Sequence, residues 1–335
     1  MQEFSVIIPA RNAGRTLERC LAAVYRSRRP PPEVIVVDDG SVDQTRAIAG
    51  RFPCRLVTCH IARGPMQPRF EGARVAQHPI LIFVDADVCV ADDTFEKTLR
   101  YFESGGVHAV TGLLAREHPG AAFFGRFKNE YMNYIFTRQG RDARFLYGSY
   151  WAIRREALIP FEPISEPFGS LVSDAELGVR LRADGKTIIL GHDLEVLHLK
   201  DYSVWGLLAN DFKIPFMFAQ LFSRYGHASP WFRGGGFAHI SLAQVGSVLA
   251  AAGLAVVTLA SSWLPRNAVL AGMAACLLLF YGFWLPFLVR LTRNGAGFVL
   301  AAVLFLPLDA CCMFAGMTAG FGHALRRGCR RGRRT

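Results

Sequence analysis

The chain has 335 residues, 51% of them hydrophobic and 19% charged, with a mean hydropathy of +0.23. That balance is too apolar for an ordinary soluble protein and too charged for one embedded in a bilayer throughout, so the average hides two halves. The net charge is +11, and much of it lies in the closing "RRGCRRGRRT", which carries Arg326, Arg327, Arg330, Arg331, Arg333 and Arg334. A basic run beside apolar helices reads as a contact with anionic lipid. No nucleic-acid module accompanies it, so no nucleic-acid partner is expected. The eight cysteines are scattered, with no CxxC pair, which gives no zinc or disulfide framework.

The first half alternates strand and helix. "EFSVIIPA" is a buried strand, and no basic-plus-apolar leader precedes it, so the first domain is expected in the cytoplasm. "AGRTLERCLAAVYRS" is a helix with Leu17, Cys20, Leu21 and Val24 on one face. "PEVIVVDDG" is a second buried strand, and "SVDQTRAIAGRF" is a helix capped by Ser41 or Asp43. "CRLVTC", the helix "PMQPRFEGARVAQ" and the strand "ILIFVDAD" follow. Strands that are apolar throughout and separated by helices mean a parallel sheet covered on both faces. Such sheets bind ligands at the carboxyl ends of their strands, where Asp38, Asp39, Asp85 and Asp87 all fall. Further on, "GVHAVTGLL" and "RFLYGSYWAIRR" read as strands. "SDAELGVRLRADG" is a helix ended by Gly185, and "KTIILG" and "EVLHLK" are short strands.

The second half changes character. "VWGLLANDFKIPFMFAQLF" is aromatic and apolar but carries Asp211, Lys213 and Pro215, which suits a helix lying in the membrane interface. Three apolar stretches, 241–263, 268–289 and 298–321, each exceed the roughly 20 residues a bilayer crossing needs. Three crossings from a cytoplasmic domain would put the arginine tail outside, against the positive-inside rule. Either 298–321 is re-entrant, helped by Pro307 and Asp309, or 204–222 also crosses. The expected domains are therefore a catalytic domain at 1–202, amphipathic interfacial helices at 203–240, about three transmembrane helices at 241–325, and a basic tail at 326–335. The expected location is a cell membrane, crossed several times.

Two carboxylates one residue apart at a strand end, Asp85 and Asp87, suggest a divalent cation. Asp38 and Asp39 end the neighbouring strand, where a base and ribose would lie. A nucleotide diphosphate needs a hard cation with oxygen ligands, Mg²⁺ or Mn²⁺, which would act as a Lewis acid on the leaving diphosphate. "SVIIPARN", "VIVVDDGSVDQT", "LIFVDAD" and "SDAELGVRLRADGKTI" together resemble the serial motifs of family-2 glycosyltransferases with the GT-A fold, over residues 4 to 200. The resemblance implies an α/β fold class: a Rossmann-like, mostly parallel catalytic sheet, here followed by an interfacial and an α-helical transmembrane region.

The resemblance also implies roles. Pro9, Ala10 and Arg11 would line the nucleotide pocket. Asp39, with Asp38 beside it, would contact the base. Arg69 and Asp85 would lie at the nucleotide, although "RFEG" stands here where the family often has RNxG. Asp87 would hold the metal, with His198 completing the site. Asp174 would be the general base, although Ser173 precedes it where the family has Glu. Gly148 and Trp151 fall in the acceptor region. The expected function is a metal-dependent inverting transfer from a nucleotide-sugar donor, a UDP-sugar in the first instance, to a hydroxyl of a lipid or lipid-linked saccharide. "QLFSRY" does not match the QxxRW motif of processive synthases, which argues against a long polymer. Two rivals stand beside this reading. One is transfer to polyprenyl phosphate, which needs no base. The other is a non-catalytic membrane scaffold or nucleotide-sugar sensor.

Overall fold

The computed structural model describes residues 3–59, 66–103, 105–120, 122–161, 172–225, 236–237 and 240–331. The chain divides into two units, Met1–Asp201 and Tyr202–Thr335. Side chains are described only to 326 at the C-terminal end, so most of the arginine tail lies outside the described residues.

The first unit follows the expected alternation. It runs β1 (Phe4–Ala10), α1 (Leu17–Arg26), β2 (Glu33–Asp38), α2 (Thr45–Ala49), β3 (Arg55–Thr58), α3 (Met66–Val75) and β4 (Ile80–Val84). Then come β5 (Val88–Val90), α4 (Thr94–Glu103), β6 (Ala109–Leu114), α5 (Phe123–Thr137), β7 (Asp142–Ala143), β8 (Tyr150–Arg154), α6 (Arg155–Leu158), α7 (Ser173–Ala183) and β9 (Ile188–His198). The strands form one mixed sheet in the order β3-β2-β1-β4-β8-β6-β9-β5, with β7 beside β9. β3, β2, β1 and β4 are mutually parallel. Their residues are apolar on both faces because helices cover both: Val6, Ile7, Ile8, Leu81, Ile82 and Phe83 are all buried.

β8 breaks the parallel run. It lies antiparallel between β4 and β6, so its start meets the end of β4. The Asp85 amide donates to the Ser149 carbonyl at 3.1 Å, which fixes the 147–149 turn against the carboxylate pair. β5 pairs antiparallel with β9, and Val88 stands opposite His198. That register brings the last residue of a distant strand to the Asp85–Asp87 turn.

Three elements differ from the sequence reading. "KTIILG" and "EVLHLK" are one strand, β9, whose pairing with β6 shifts register between Thr111 and Leu113. "RFLYGSYWAIRR" becomes extended only at Tyr150, as β8. α5 has no counterpart in the expected elements. Its sequence is rich in Phe, Tyr and Asn, residues of modest helix propensity, and burial of Phe127, Met132, Ile135 and Phe136 holds it in place. Gly185, at φ +74°, closes α7 as expected.

In the second unit, α8 (Val204–Tyr225) precedes a short hairpin, β10 (Gly236–Phe237) with β11 (Ile240–Ser241), then α9 (Leu242–Leu259), α10 (Arg266–Leu291) and α11 (Ala296–Arg331). Three spans, Val245–Ser262, Arg266–Asn294 and Ala296–Arg326, are long and apolar enough to cross a membrane. Their outward faces are apolar: Leu278 and Leu304 are 75% and 71% exposed, which suits lipid and not water. α9 and α10 form an antiparallel hairpin in which a Cβ on Gly253 would meet Cys276 and one on Gly272 would meet Val257.

α8 and α11 pack backbone to backbone. A Cβ on Gly316 would lie 2.2 Å from the Phe212 carbonyl oxygen, and one on Gly320 2.3 Å from that of Phe216. This is the small-xxx-small spacing of close helix pairs in membranes. The Cys312 thiol donates to the Leu208 carbonyl at 3.2 Å. All three contacts share one offset, so α8 and α11 run parallel. Since α9 and α11 flank the antiparallel α10, α8 and α9 point the same way. A bilayer crossing by α8 would therefore need the short link before α9 to cross back. Asp309 and Asp211 are both buried, at 3% and 5% exposed, so Asp309 does not face lipid.

The tightest approach in the first unit is α3 on β1. A Cβ on Gly72 would meet Ile7 Cγ2 at 2.4 Å and Val37 Cγ2 at 3.1 Å. Gly72→Ala is expected to destabilise this unit by about 1–3 kcal/mol through overpacking, read as a lowered Tm. Gly105→Ala, at an open position, should leave the Tm nearly unchanged.

Candidate active site

The carboxyl ends of β1, β2 and β4, the 147–149 turn, the start of α7 and the segment after β9 enclose one cleft of about 1000 Å³. Pro9, Ala10, Arg11, Asp39, Arg69, Asp85, Asp87, Gly148 and Asp174 line it. Further lining residues not expected from sequence include Arg15, Arg19, Lys200 and Asp201.

The nucleotide end is built by two loops sewn together. Ala13 N donates to Thr45 Oγ1 at 2.7 Å and Gly14 N to Asp43 Oδ2 at 2.9 Å. Asn12, at φ +50°, donates its amide to Ser41 Oγ and accepts from Val42 N. These bonds hold the turn after β1 against the turn after β2. Asp39 sits between them with its amide bound to the Ala10 carbonyl at 2.8 Å. Its Oδ2 faces Arg11 Nη1 at 3.7 Å. Its Oδ1 is buried without a hydrogen-bond partner among the described residues. Burial raises its pKa, with Arg11 opposing. A buried acceptor left open at a strand end is suited to an N–H of a nucleobase.

Asp38 does not share this place. It is fully buried, accepts from Ser41 N at 3.1 Å and pairs with Arg46 Nε at 2.5 Å. Successive residues at a strand end point to opposite faces, so one of the two aspartates enters the cleft and the other anchors α2. Asp38, expected beside Asp39 at the nucleotide, is turned away from the cleft that Asp39 lines.

Asp87 and His198 meet at the opposite wall, with Oδ2 and Nε2 3.5 Å apart. The Asp87 carbonyl accepts from Leu199 N at 2.7 Å, which continues the β5–β9 pairing past His198. Burial pushes the Asp87 pKa up, but the hydrogen bond and charge of His198 and the charge of Lys200 outweigh it, and the net shift is downward. Asp87 is therefore held as a carboxylate. His198 is 7% exposed, and its Nδ1 is buried without a partner among the described residues. Among those residues no group of three or more His, Cys, Asp or Glu could by itself hold a metal. One carboxylate and one imidazole beside an open cleft nevertheless fit a cation that takes its remaining ligands from phosphate oxygens and water. The orphaned Nδ1, on a ring 3.5 Å from the Asp87 carboxylate, is the observation that carries this fit.

Arg69 joins the two sides. It comes from α3, is 5% exposed, and its Nη2 bonds both Asp85 Oδ1 and the Gly148 carbonyl. The sequence reading set Arg69 at the nucleotide; in the fold its guanidinium is committed to protein oxygens on the cleft floor. Asp85 keeps 29% of its side-chain surface exposed and lines the cleft. Burial raises its pKa first, Asp87 adds to the rise, and Arg69 opposes it.

Asp174 opens α7, where the helix N-terminus favours negative charge. Its Oδ2 accepts from Gly148 N at 2.5 Å. Burial raises its pKa, while Arg69 and the amides of Ala175 and Gly148 lower it, and the net shift is upward. A Cβ on Gly148 would lie 3.0 Å from Asp174 Oδ2, so glycine lets the main chain reach this carboxylate. Trp151, expected in the acceptor region, is fully buried. It stacks on Phe83 of β4 with ring centroids 4.0 Å apart and belongs to the core. The cause is register: Trp151 is the direct cross-strand partner of Phe83.

With this geometry in hand, the comparisons agree. Residues 5–160 match the family model described as Glycosyl transferase family 2. The glycosyltransferase AglE of Haloferax volcanii is 31% identical over 122 residues, 34% of this chain and 40% of that protein. Validoxylamine A glucosyltransferase of Streptomyces hygroscopicus subsp. limoneus is 32% identical over 103 residues, 29% of this chain and 23% of that protein. The chain thus spans well under half the length of these curated relatives. Among solved structures, the mannosyltransferase PcManGT of Pyrobaculum calidifontis, in complex with GDP-Man and Mn²⁺, shares the fold at TM-score 0.58 and 18% identity, covering 96% of this chain and 87% of that one. Residues 5–160, just under half of the chain, thus match a family-2 glycosyltransferase domain, and the first unit has the GT-A fold.

Arg69 gives the test of the site's electrostatics. Arg69→Met leaves Asp85 and Asp174 without their shared cation, and breaking a buried pair of this kind costs roughly 3 kcal/mol. Both carboxyls have raised pKa values, so protonation relieves the loss. The Tm deficit of Arg69→Met is expected to be large at pH 8 and to shrink as pH falls toward 5 (roughly one unit above the usual carboxylate range).

Proposed function

We propose that the chain is a membrane-bound inverting glycosyltransferase. It moves a sugar from a nucleotide-diphosphate donor, a UDP-sugar in the first instance, to a hydroxyl of a lipid or lipid-linked saccharide. One observation carries the reading: Asp174 and Asp87 line the same cleft, with His198 3.5 Å from Asp87 and Arg69 bonded to Asp85 and to the Gly148 carbonyl beside Asp174. The apolar helices of the second unit support a membrane-borne acceptor, with the first unit on the cytoplasmic side.

The residues then divide the work. Asp39 accepts an N–H from the base through its open Oδ1, while Arg11 covers the ribose side. Asp87 and His198 hold the divalent cation, which when bound supplies Lewis-acid stabilisation to the leaving diphosphate. Asp85, oriented by Arg69, faces the donor sugar or ribose. Asp174 takes the proton of the acceptor hydroxyl as that oxygen attacks the anomeric carbon. Its raised pKa brings it closer to the working pH, which strengthens it as a base. Gly148 leaves room for the acceptor beside it. The mixed carboxylate and imidazole set suits Mn²⁺ better than Mg²⁺, which prefers oxygen throughout.

The decisive experiment supplies membranes containing wild-type chain or Asp174→Asn with radiolabelled UDP-, GDP- and dTDP-sugars and Mn²⁺, and counts label in the lipid extract. Label from one donor is expected in wild type, with a fall of roughly 10²–10⁴-fold in the variant and loss on chelation. Label that survives the substitution would remove Asp174 as base and favour a phosphate acceptor. In the pH profile of the same reaction, the base must be deprotonated. Because its pKa is raised, the acid limb of kcat/KM should lie above the usual carboxylate range near 4. A limb at or below that range would contradict the assignment. Mn²⁺ should restore chelated membranes more fully than Mg²⁺ at equal concentration.

A further inference from the structure

The helix α5 buries polar side chains that the proposed reaction does not use. Asn129, Glu130 and Asn133 are 0%, 3% and 2% exposed, and burying such groups is costly unless each meets a partner. Each meets the chain that leaves β6. Asn133 Nδ2 donates to the Leu114 carbonyl at 2.7 Å, Arg116 Nε donates to Glu130 Oε1 at 2.8 Å, and Asn129 Nδ2 donates to the Glu117 carbonyl at 3.2 Å. Three successive clamps thus fix residues 114–117, and the next residue is His118.

The side chain of His118 is 1% exposed. Its Nδ1 accepts from the Gly120 amide at 3.0 Å. A backbone N–H can only donate, so this contact puts the ring proton on Nε2. Nε2 lies 3.1 Å from the Lys200 carbonyl and donates to it. The chain comes close at the same spot. A Cβ on Gly125 of α5 would stand 2.8 Å from both His118 Cε1 and Asp201 Oδ1, and one on Gly120 2.7 Å from Asp201 Oδ1.

The segment that His118 reaches belongs to the cleft, since Leu199, Lys200 and Asp201 all line it. The β6–β9 ladder ends with Ala115 N donating to the Val196 carbonyl at 2.7 Å. Past that point the chain is gripped from two sides: Leu199 N donates to the Asp87 carbonyl at 2.7 Å, and the Lys200 carbonyl accepts from His118. His198 stands between the end of the ladder and this grip, so His118 limits how far the His198 ring can swing from Asp87.

We propose that His118 is a positioning residue for the cation wall: held by α5, it fastens the segment after β9 and so keeps His198 opposite Asp87. This rests on the glycosyltransferase reading and deepens it. His118 acts through His198 and does not itself meet substrate.

The test uses the full chain in nanodiscs, as wild type, His118→Leu, His118→Gln and Gly125→Ala. Glutamine offers an amide N–H in place of Nε2–H and keeps the bond to Lys200, whereas leucine removes it. Gly125→Ala pushes into the same contact while raising helix propensity, so its effect is not a loss of α5. Two quantities are read: hydrogen exchange of the amides of 196–201 without metal or nucleotide, and Mn²⁺ affinity in the presence of UDP, from the electron paramagnetic resonance signal of free Mn²⁺. His118→Leu and Gly125→Ala should speed exchange over 196–201 by about tenfold, the order of one hydrogen bond, while exchange over β1 stays unchanged. Mn²⁺ affinity should fall by about tenfold, the low end for residues that orient a metal ligand, and His118→Gln should recover both. Unchanged exchange over 196–201 in a folded His118→Leu overturns the proposal, as does faster exchange with unchanged Mn²⁺ affinity. Should His118→Leu not fold, Gly125→Ala decides by the same two readings. If wild type binds no Mn²⁺ with UDP or GDP, the cation reading fails by itself, and the exchange measurement still decides whether His118 fastens the segment.

Discussion

Three carboxylates, Asp85, Asp87 and Asp174, converge on one cleft at the end of a buried sheet, and the structure depends on how their repulsion is offset. Arg69 answers it on one side. Its guanidinium is buried, it bonds Asp85 and the Gly148 carbonyl, and its charge lowers the pKa values of Asp85 and Asp174 against the rise that burial imposes. To deliver a buried arginine there, α3 must lie close on β1 and β2. Gly72 allows that approach because no Cβ stands between the helix and Ile7. A packing detail one turn along the helix from Arg69 thus helps set the electrostatics of the site.

On the other side His198 and Lys200 do the corresponding work for Asp87, and the outcome is of opposite sign. Asp87 has a lowered pKa and Asp174 a raised one. Two carboxylates of one cleft whose pKa values are driven apart are suited to two tasks, one as a permanent anion and one as a proton acceptor. Neither setting comes from the residue type. Both come from neighbours brought in by the sheet: β9 carries His198 to Asp87 through its pairing with β5, and β8 carries Gly148 to Asp174 through its antiparallel entry beside β4.

The second unit obeys a different constraint. Its helices expose leucine and valine outward and approach each other through glycine, which is how helices associate where burial of apolar surface drives nothing. The parallel run of α8 beside α11 is its least local feature. Hydropathy identifies both helices separately but holds no information about their pairing, which rests on Gly316 and Gly320 meeting the carbonyls of Phe212 and Phe216.

What the sequence by itself determined were the features with a short-range cause. Apolar runs ending in Asp39 and in Asp85-Ala86-Asp87, a helix opening at Asp174, and three stretches long enough for a bilayer were legible because strand ends, helix starts and hydropathy are written in consecutive residues. The tertiary structure alone decided which way neighbouring side chains face and which distant residues meet. Asp38 and Asp39 are equivalent by composition, yet strand alternation sends one to Arg46 and the other into the cleft. The family resemblance set Trp151 in the acceptor region, but cross-strand pairing with Phe83 places its ring in the core. Nothing in the local sequence singles out Arg15 and Arg19, and only the packing of α1 against the Asp85–Cys89 segment makes them part of the cleft. Side-chain direction at a site is set by pairing register and helix packing, and those are settled between residues far apart in the chain.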